Sequence, residues 1–303
     1  MSKTESKSES KTETVSARYA TLDLWPTADA VEAMFEGQLA AAAAVRSATT
    51  AIAAAAEAAA DRLRGGSGRL IYAGAGTSGR IAVQDGVELG PTFDWPENRL
   101  VYLLAGGTRA ITASVEDAED DADDGRRLIA NAKTGASDVV IGVAASGQTP
   151  FTVAVVEEAR KSGALTIGIA GNADTPLLTA AEIAILLPTG EEVIAGSTRM
   201  KAGTAQKIAL NLLSTAVMLR LGLVHGNLMV AMRSTNKKLV HRAMEIVRSI
   251  AGSSPEAAKA ALIQTDGDIR TAVLVARGAT PEEARAEIAA AHGVLRQAMA
   301  GRK

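Results

Sequence analysis

The hydrophobic positions along the chain fall into five short runs in which nearly every residue is apolar, rather than alternating with polar ones. Such runs are typical of strands that are covered on both faces, as in a parallel sheet. They are RLIYA (69–73), RLVYLLA (99–105), DVVIGVAA (138–145), ALTIGIA (164–170) and EIAILLP (182–188). Helical patterns lie between or after them, at 79–88, 109–132, 150–162 and 202–221. The alternation predicts an α/β fold with a doubly wound parallel five-stranded sheet.

The regions outside this sheet have helical patterns. An alanine-rich region, 26–64, ends at Gly65-Gly66, and 254–300 holds three short helical patterns separated by glycine and aspartate turns. The first sixteen residues alternate lysine and glutamate without an apolar run, which predicts a disordered tail. We therefore expect a tail at 1–16, an N-terminal helical region at 17–64, an α/β domain at 65–233 and a small C-terminal helical bundle at 234–303.

Composition narrows the possible functions. The 303 residues include 32 Lys+Arg and 34 Asp+Glu, so the net charge of −2 provides no global positive field for nucleic acid or a membrane surface. Cysteine is absent, which excludes disulfides, thiolate catalysis and cysteine-ligated zinc. The histidines, His225, His241 and His292, are too far apart for a short metal-binding motif. Because no stretch has the pattern of a signal peptide or membrane span, we expect a cytoplasmic protein without a metal.

Two loops combine glycines and hydroxyl side chains just ahead of a predicted helix. In a parallel sheet, ligands bind beyond the carboxyl ends of the strands, where both loops lie. Glycine lets a ligand approach the backbone, and a helix N-terminus offers unpaired N–H groups, which suits a phosphate. The predicted phosphate-binding residues are Thr77, Ser78, Gly79 and Arg80 in the first loop and Ser146, Gly147, Gln148 and Thr149 in the second.

The first loop also satisfies the dinucleotide fingerprint G-x-G-x-x-G, at Gly74–Gly79. A nicotinamide site usually needs an acidic residue after the second strand to hold the ribose, whereas this strand ends Leu104-Ala105-Gly106-Gly107. The first loop also lacks the Gly-Lys-Ser/Thr of a nucleotide P-loop. Two hydroxyl-rich loops at neighbouring strand ends therefore favour a small phosphorylated ligand over a dinucleotide.

Acidic residues form the next candidate cluster. Glu88 lies just before Gly90-Pro91, which must end the preceding helix, and 115–121 holds five carboxylates in seven residues. If that segment is helical, Glu116 and Glu119 share a face. Most of these side chains fit a solvated helix surface, but one enclosed in a pocket would be suited to acid/base catalysis.

A third segment, Glu191–Thr204, leads into the long helix predicted at 202–221. Arg199 and Lys201 stand at its start, where cations oppose the positive end of the helix dipole. A bound anion would remove that conflict. The segment therefore predicts that Ser197, Arg199 and Lys201 contact a substrate anion.

Taken together, these motifs resemble one family. The runs G-A-G-T-S-G-R, E-x-x-P-T, A-G-G, V-E-x-A-E-D, A-A-S-G-x-T-P and G-S-T-R-M-K-A-G-T-A-Q-K are similar to those of N-acetylmuramic acid 6-phosphate etherases, a branch of the sugar isomerase superfamily. The resemblance implies a lyase of cell-wall amino sugar recycling, which forms N-acetylglucosamine 6-phosphate and D-lactate from N-acetylmuramic acid 6-phosphate. It also implies Glu88 and Glu119 as catalytic groups, no cofactor, and a homodimer.

The chain departs from the family pattern near one of these groups. Glu88-Leu89-Gly90-Pro91-Thr92 stands where the family commonly has Glu-Cys-Pro-Pro-Thr, and the family's N-terminal T-E-x-R-N is poorly kept at 16–19. An unbroken helix from Gly79 would also carry Glu88 about 13 Å along its axis. Either the chain bends back toward the pocket, or a partner subunit supplies one carboxylate.

Two other functions remain open on the sequence alone. Related domains act as phosphosugar-sensing regulatory proteins, which keep both serine loops but lack a carboxylate matching Glu88. An aldose–ketose phosphosugar isomerase would share the phosphate loops and could use Glu192 as an additional acid/base group.

Overall fold

A parallel five-stranded sheet forms the centre of the fold, in a computed structural model that describes residues 11–232 and 237–301. Its strands are β1 (Leu70–Gly74), β2 (Leu100–Leu104), β3 (Val139–Ala144), β4 (Leu165–Ala170) and β5 (Ile183–Leu186). Their order is β2-β1-β3-β4-β5, and every neighbouring pair is parallel. The predicted doubly wound sheet is thereby confirmed, with the crossover point between β1 and β3.

Helices lie between and around the strands. Those that follow the strands are α3 (Gly76–Val87), α4 (Leu89–Phe93), α5 (Ala122–Asn131), α6 (Pro150–Lys161), α7 (Pro176–Ala180) and α8 (Lys201–Arg220). Every residue of β1, β3 and β4 is buried, which explains their continuously apolar runs. In one core cluster, Ile71 and Val140 from the sheet pack with Phe151 and Val155 of α6.

The alanine-rich N-terminal region forms two helices, α1 (Thr27–Arg46) and α2 (Thr49–Leu63). They are bent by 57° at the intervening residues. No single helix in the described ranges is long and apolar enough to cross a membrane. Within these ranges, only α1 and α2 taken together have the length and apolar composition of a membrane span, and they are bent.

The end of the predicted tail is ordered. Residues 11–13 form a 3-10 turn, and Thr12 is fully buried with its carbonyl accepting a hydrogen bond from the Gly196 N–H at 3.0 Å. The predicted disorder is therefore wrong for 11–16, because backbone bonding to a loop leaves no mark on composition. Residues 1–10 of the predicted tail lie outside the described residues, as does the predicted boundary at 233–234.

The long helix predicted at 109–132 is also wrong. A 3-10 turn at Gly107–Ile111 is followed by a loop, and the helix itself, α5, begins only at Ala122. Asp117 has a positive φ of 60°, which a helix does not accept. Asp121 then caps α5, since its side chain accepts a hydrogen bond from the Asp124 N–H at 2.8 Å.

The C-terminal region is helical, as predicted, with α9 (Lys237–Ala251), α10 (Pro255–Gln264), α11 (Ile269–Ala276), α12 (Pro281–Ala290) and α13 (Leu295–Ala300). The third predicted helical pattern divides into α12 and α13, because His292 and Gly293 both take positive φ values, 50° and 83°. A single apolar cluster with Val247, Val273 and Leu274 at its centre holds these helices together.

The chain divides into two compact units. The first contains the residues up to Gly86 together with Asn98–Leu213, and so holds the whole sheet. The second contains Val87–Glu97 together with the chain from Ser214 onward. Helix α8 supplies residues to both units, and so the boundary falls inside a helix rather than at a linker.

Candidate active site

A polar cavity of about 460 Å³ lies in the first unit, at the carboxyl ends of β1 and β2. It joins the β1–α3 loop to the acidic loop, the name used here for residues 114–120. The lining residues are Ala75, Gly76, Thr77, Arg80, Ala105, Ala110, Ser114, Val115, Glu116, Asp117, Ala118, Glu119 and Asp120. This is the edge of a parallel sheet at which ligands bind.

The β1–α3 loop brings a helix N-terminus directly onto the end of β1. A side chain at Gly79 would place its Cβ 2.9 Å from the carbonyl oxygen of Gly74, so this close approach requires glycine. Helix α3 consequently starts at Gly76, two residues after the strand. Thr77 lines the cavity, while Ser78 is buried, at 8% exposure. The loop thus presents free N–H groups of α3 to the cavity.

Arg80 also lines the cavity, but its guanidinium is engaged by the protein. Its Nε donates to the carbonyl of Ala110 at 2.7 Å, and its Nη2 donates to the carbonyl of Ala113 at 3.0 Å. These bonds hold the chain that leads into the acidic loop. The side chain predicted to bind phosphate therefore fixes the wall of the cavity.

The acidic loop presents Glu119 on a fixed backbone. The carbonyl of Glu119 accepts a hydrogen bond from the Phe151 N–H at 3.0 Å, which ties it to the first turn of α6. Its carboxylate is exposed and makes no hydrogen bond or ion pair with any residue in the described part of the chain. Since the loop is not helical, the predicted shared helix face of Glu116 and Glu119 does not exist, although both residues line the cavity.

The second serine loop precedes α6 at the end of β3. Gly147 has a positive φ of 73°, and the Ser146 hydroxyl accepts a hydrogen bond from the Gln148 N–H at 3.1 Å. The amide of Asn172, in the loop after β4, donates to the Ser146 carbonyl at 3.3 Å. Sequence reasoning missed Asn172, although it follows a predicted strand and so obeys the rule that found the other two loops.

The segment before α8 contains its own anion. Glu192 is 1% exposed, and its two carboxylate oxygens accept hydrogen bonds from the backbone N–H groups of Lys201 and Ala202, each at 2.9 Å. A carboxylate of the protein thus binds the first N–H groups of this helix, where the sequence predicted an anion. The Lys201 ammonium donates to the carbonyl of Glu191 at 2.8 Å.

The other predicted residues of this segment do not line the cavity. Ser197 is half-buried, and Arg199 is exposed. The start of α8 nevertheless lies beside the start of α3, because a Cβ at Gly203 would be 3.5 Å from the side chain of Thr77. Ser197 and Arg199 therefore precede, by only a few residues, a position that contacts the cavity residue Thr77, and all of them belong to the first unit.

Glu88 belongs to the second unit. It follows α3 directly, stands at the N-cap of α4, and has an exposed side chain. Within the residues that the structure describes, no three or more His, Asp or Glu side chains are grouped so that they could hold a metal ion.

Two family models match the chain. The SIS domain matches residues 106–216, and the glucokinase regulatory protein N-terminal SIS domain matches residues 49–160. Among solved structures, a phosphoheptose isomerase from Francisella tularensis aligns with a TM-score of 0.48 at 18% identity, and covers 64% of this chain and 100% of that chain.

Curated relatives match over nearly the whole length. An N-acetylmuramic acid 6-phosphate etherase from Deinococcus radiodurans is 47% identical over 290 residues, which cover 95% of both chains. One with the same name from Yersinia pestis (strain Pestoides F) is 46% identical over 257 residues, covering 84% of this chain and 87% of the relative. With this identity over this length, the chain belongs to the N-acetylmuramic acid 6-phosphate etherase family.

Proposed function

We propose that this protein is a carbon–oxygen lyase that cleaves the D-lactyl ether of N-acetylmuramic acid 6-phosphate, as part of cell-wall amino sugar recycling. The products are N-acetylglucosamine 6-phosphate and D-lactate. The observation that carries the proposal is the cavity of the first unit, in which a helix N-terminus suited to phosphate and an unengaged carboxylate, that of Glu119, line the same space. The curated relatives carry the name of this activity.

The chemistry needs two proton-transfer groups and no cofactor. In the open-chain sugar, the C1 aldehyde acidifies the proton on C2, and a base removes it. The electron pair forms a C2–C3 double bond while the C3–O bond breaks, and an acid protonates the departing lactyl oxygen. Water then adds to C3, and a proton returns to C2. The cycle restores both groups to their starting protonation states.

We assign these two roles to Glu88 and Glu119. Glu88 protonates the leaving lactyl oxygen and later activates the water, while Glu119 acts at C2 or in ring opening. Glu119 suits proton transfer because both its carboxylate oxygens are available while its backbone is tied to Phe151. Glu88 is likewise exposed at a helix N-cap.

The 6-phosphate binds to the N-termini of α3 and α6. Their loops supply N–H groups and hydroxyls from Thr77, Ser78, Gly79, Ser146, Gly147, Gln148 and Thr149, and the neighbouring segment adds Ser197, Arg199 and Lys201. The close approach of Gly79 to Gly74 supports this role, because it brings the first N–H groups of α3 onto the end of β1, at the edge of the sheet where ligands bind.

We further propose a cytoplasmic homodimer. On α1, Val31, Phe35 and Leu39 are spaced four residues apart and are each more than half exposed, which forms an apolar stripe suited to a second copy of the chain. A cytoplasmic location fits a substrate whose phosphate charge prevents unaided passage through a lipid bilayer.

The decisive experiment is incubation of the purified protein with N-acetylmuramic acid 6-phosphate, followed by an enzymatic assay for D-lactate. We expect stoichiometric lactate release that survives treatment with a chelator. A protein that binds the substrate but releases no lactate would contradict the proposal, and activity lost with the chelator would contradict the metal-free mechanism.

One alternative has an observation in its favour. The match of 49–160 to the glucokinase regulatory protein domain fits a phosphosugar sensor, which would bind the sugar phosphate without cleaving it. The same lactate assay separates the two functions. An isomerase that uses Glu192 as its base is disfavoured, because that carboxylate is buried and both its oxygens bind the start of α8.

A further inference from the structure

The first unit contains a buried carboxylate that the proposed reaction does not use. Asp85, in the last turns of α3, is 2% exposed, and its Oδ2 accepts a hydrogen bond from the hydroxyl of Tyr72 on β1 at 3.0 Å. Burial, together with the charge of Asp85, raises the pKa of Tyr72 well above its usual value, so the hydroxyl stays protonated and remains the donor.

Burying a carboxylate at this position costs free energy, because the charged group loses its hydration, whereas an apolar side chain of similar size would not. The carboxylate does, however, provide a hydrogen bond with a defined orientation. A hydrogen bond is restricted in length and angle, so it fixes the rotation of the helix about its own axis and its height along β1. Apolar packing restricts both less sharply.

The two ends of α3 are held by separate contacts. The first turn is held by the close approach of Gly79 to Gly74. The last turn is held by the hydrogen bond that the Tyr72 hydroxyl donates to Asp85, and by the close packing at Gly86, where a Cβ would lie 2.7 Å from the hydroxyl of Tyr102. The first end carries the proposed phosphate-binding residues, and the second leads directly into Glu88.

We infer that Asp85 and Tyr72 are positioning residues for Glu88. Their hydrogen bond fixes the orientation of the last turn of α3, and thereby the direction of the backbone at Glu88, the residue that follows this helix. The inference rests on the proposed function, in which Glu88 transfers the proton to the lactyl oxygen. Because the phosphate end of α3 is held independently, loss of the bond lowers turnover and leaves phosphosugar binding intact.

The test compares Tyr72→Phe, which removes only the hydroxyl, with a matched control. Thr166→Val removes another buried hydroxyl hydrogen bond in the same unit, from the Glu182 N–H at 2.9 Å, on β4 and away from α3. We expect kcat for lactate release to fall by about tenfold to a hundredfold in Tyr72→Phe, the cost of a small misplacement of a reacting group. We expect KM and the Kd for N-acetylglucosamine 6-phosphate to stay within about twofold, and Thr166→Val to keep its kcat.

A second pair of variants addresses Asp85 directly. Asp85→Asn keeps an acceptor oxygen for Tyr72 and should retain more turnover than Asp85→Ala, which has none. Unchanged kcat in Tyr72→Phe, equal losses in the two Asp85 variants, or an equal loss in Thr166→Val would each overturn the inference. If the wild-type protein itself releases no lactate, the proposed function fails and this inference fails with it.

Discussion

Two carboxylates of the first unit, Glu119 and Glu192, were both candidate acid/base groups on the sequence, and they differ in what surrounds them. Glu119 lies in a loop that lines a polar cavity, where its backbone is fixed and its carboxylate is exposed. Glu192 is almost fully buried, and both its oxygens accept hydrogen bonds from the first N–H groups of α8.

The difference separates a carboxylate that is open to a ligand from one that stabilises the fold. Loss of the Glu192 carboxylate would leave two backbone N–H groups at the start of α8 without their charged acceptor. The Glu119 carboxylate makes no such bonds within the described residues. These hydrogen bonds support the proposal that Glu119 acts on the substrate and Glu192 does not.

The largest effect that follows is on turnover. Glu119→Gln should lower kcat for lactate release by about 10²- to 10⁴-fold, the range for loss of a general acid or base, with little change in binding of N-acetylglucosamine 6-phosphate. Glu116→Gln is the matched control, since Glu116 lines the same cavity on the same loop. Equal losses in the two variants would show that the loop's charge, and not Glu119, matters.

The second effect is on stability. Glu192→Ala should lower the free energy of unfolding by about 2–3 kcal/mol, because two N–H groups at the start of α8 lose a charged acceptor. Denaturant titration measures this loss. The folded variant should keep kcat within about tenfold of wild type, whereas the loss of a general base costs more. A larger drop in kcat at unchanged stability would contradict the structural role of Glu192 and indicate that it takes part in the reaction.

The third effect concerns the loops beside the cavity. Ser78→Ala and Ser146→Ala should each weaken binding of a sugar 6-phosphate by about 1–3 kcal/mol, the cost of leaving a buried group without its partner. Calorimetry with N-acetylglucosamine 6-phosphate measures the change, and N-acetylglucosamine, which lacks only the phosphate, serves as the control ligand. If neither variant loses affinity, the phosphate does not bind at these loops.

The smallest effect concerns a third carboxylate, that of Asp138, and the dependence of stability on pH. Burial alone would raise the pKa of Asp138, but hydrogen bonds from the Arg69 guanidinium and from two backbone N–H groups outweigh it, so the pKa is lowered. The unfolded carboxyl has a pKa of about 3.9, so this contribution to stability is complete above that pH and is lost as pH falls through the lower folded value.

Unfolding titrations between about pH 6 and pH 3 should therefore show a loss of stability in the wild type that is smaller in Asp138→Asn. Each unit of pKa depression corresponds to about 1.4 kcal/mol. The variant is less stable at neutral pH, since Arg69 loses its charged partner. An identical pH slope in both proteins would contradict this account of Asp138.

The sheet could be predicted from the sequence because its signal is local. Strands buried on both faces must be apolar nearly throughout, as β1, β3 and β4 are. The edge strands β2 and β5 are only partly buried, but their runs are apolar as well. The helix at 109–132 could not be predicted correctly, because the acidic loop follows from the positive φ of Asp117 and from the cap that Asp121 places on α5. Charged residues every few positions fit an exposed helix and an exposed loop equally well.

The sequence pointed to parts of the cavity and less clearly to side-chain roles. The rule that ligands bind at the carboxyl ends of parallel strands singled out the β1–α3 loop, and the density of carboxylates singled out the acidic loop, and both line the cavity. The sequence also predicted an anion at the start of α8, yet it did not show that the Glu192 carboxylate binds the N–H groups there. Likewise, Arg80 looks the same in sequence whether it meets a phosphate or the carbonyls of Ala110 and Ala113. Such roles depend on contacts between distant segments.

The most direct test of the central claim, ether cleavage at C3 by elimination and water addition, is isotope incorporation. The reaction is run once in water enriched in oxygen-18 and once in deuterium oxide, and both products are analysed by mass spectrometry and NMR. We predict that oxygen-18 enters the C3 hydroxyl of N-acetylglucosamine 6-phosphate, that deuterium appears at C2, and that D-lactate keeps its original oxygen. Oxygen-18 in the lactate hydroxyl, or a product without deuterium at C2, would contradict the account.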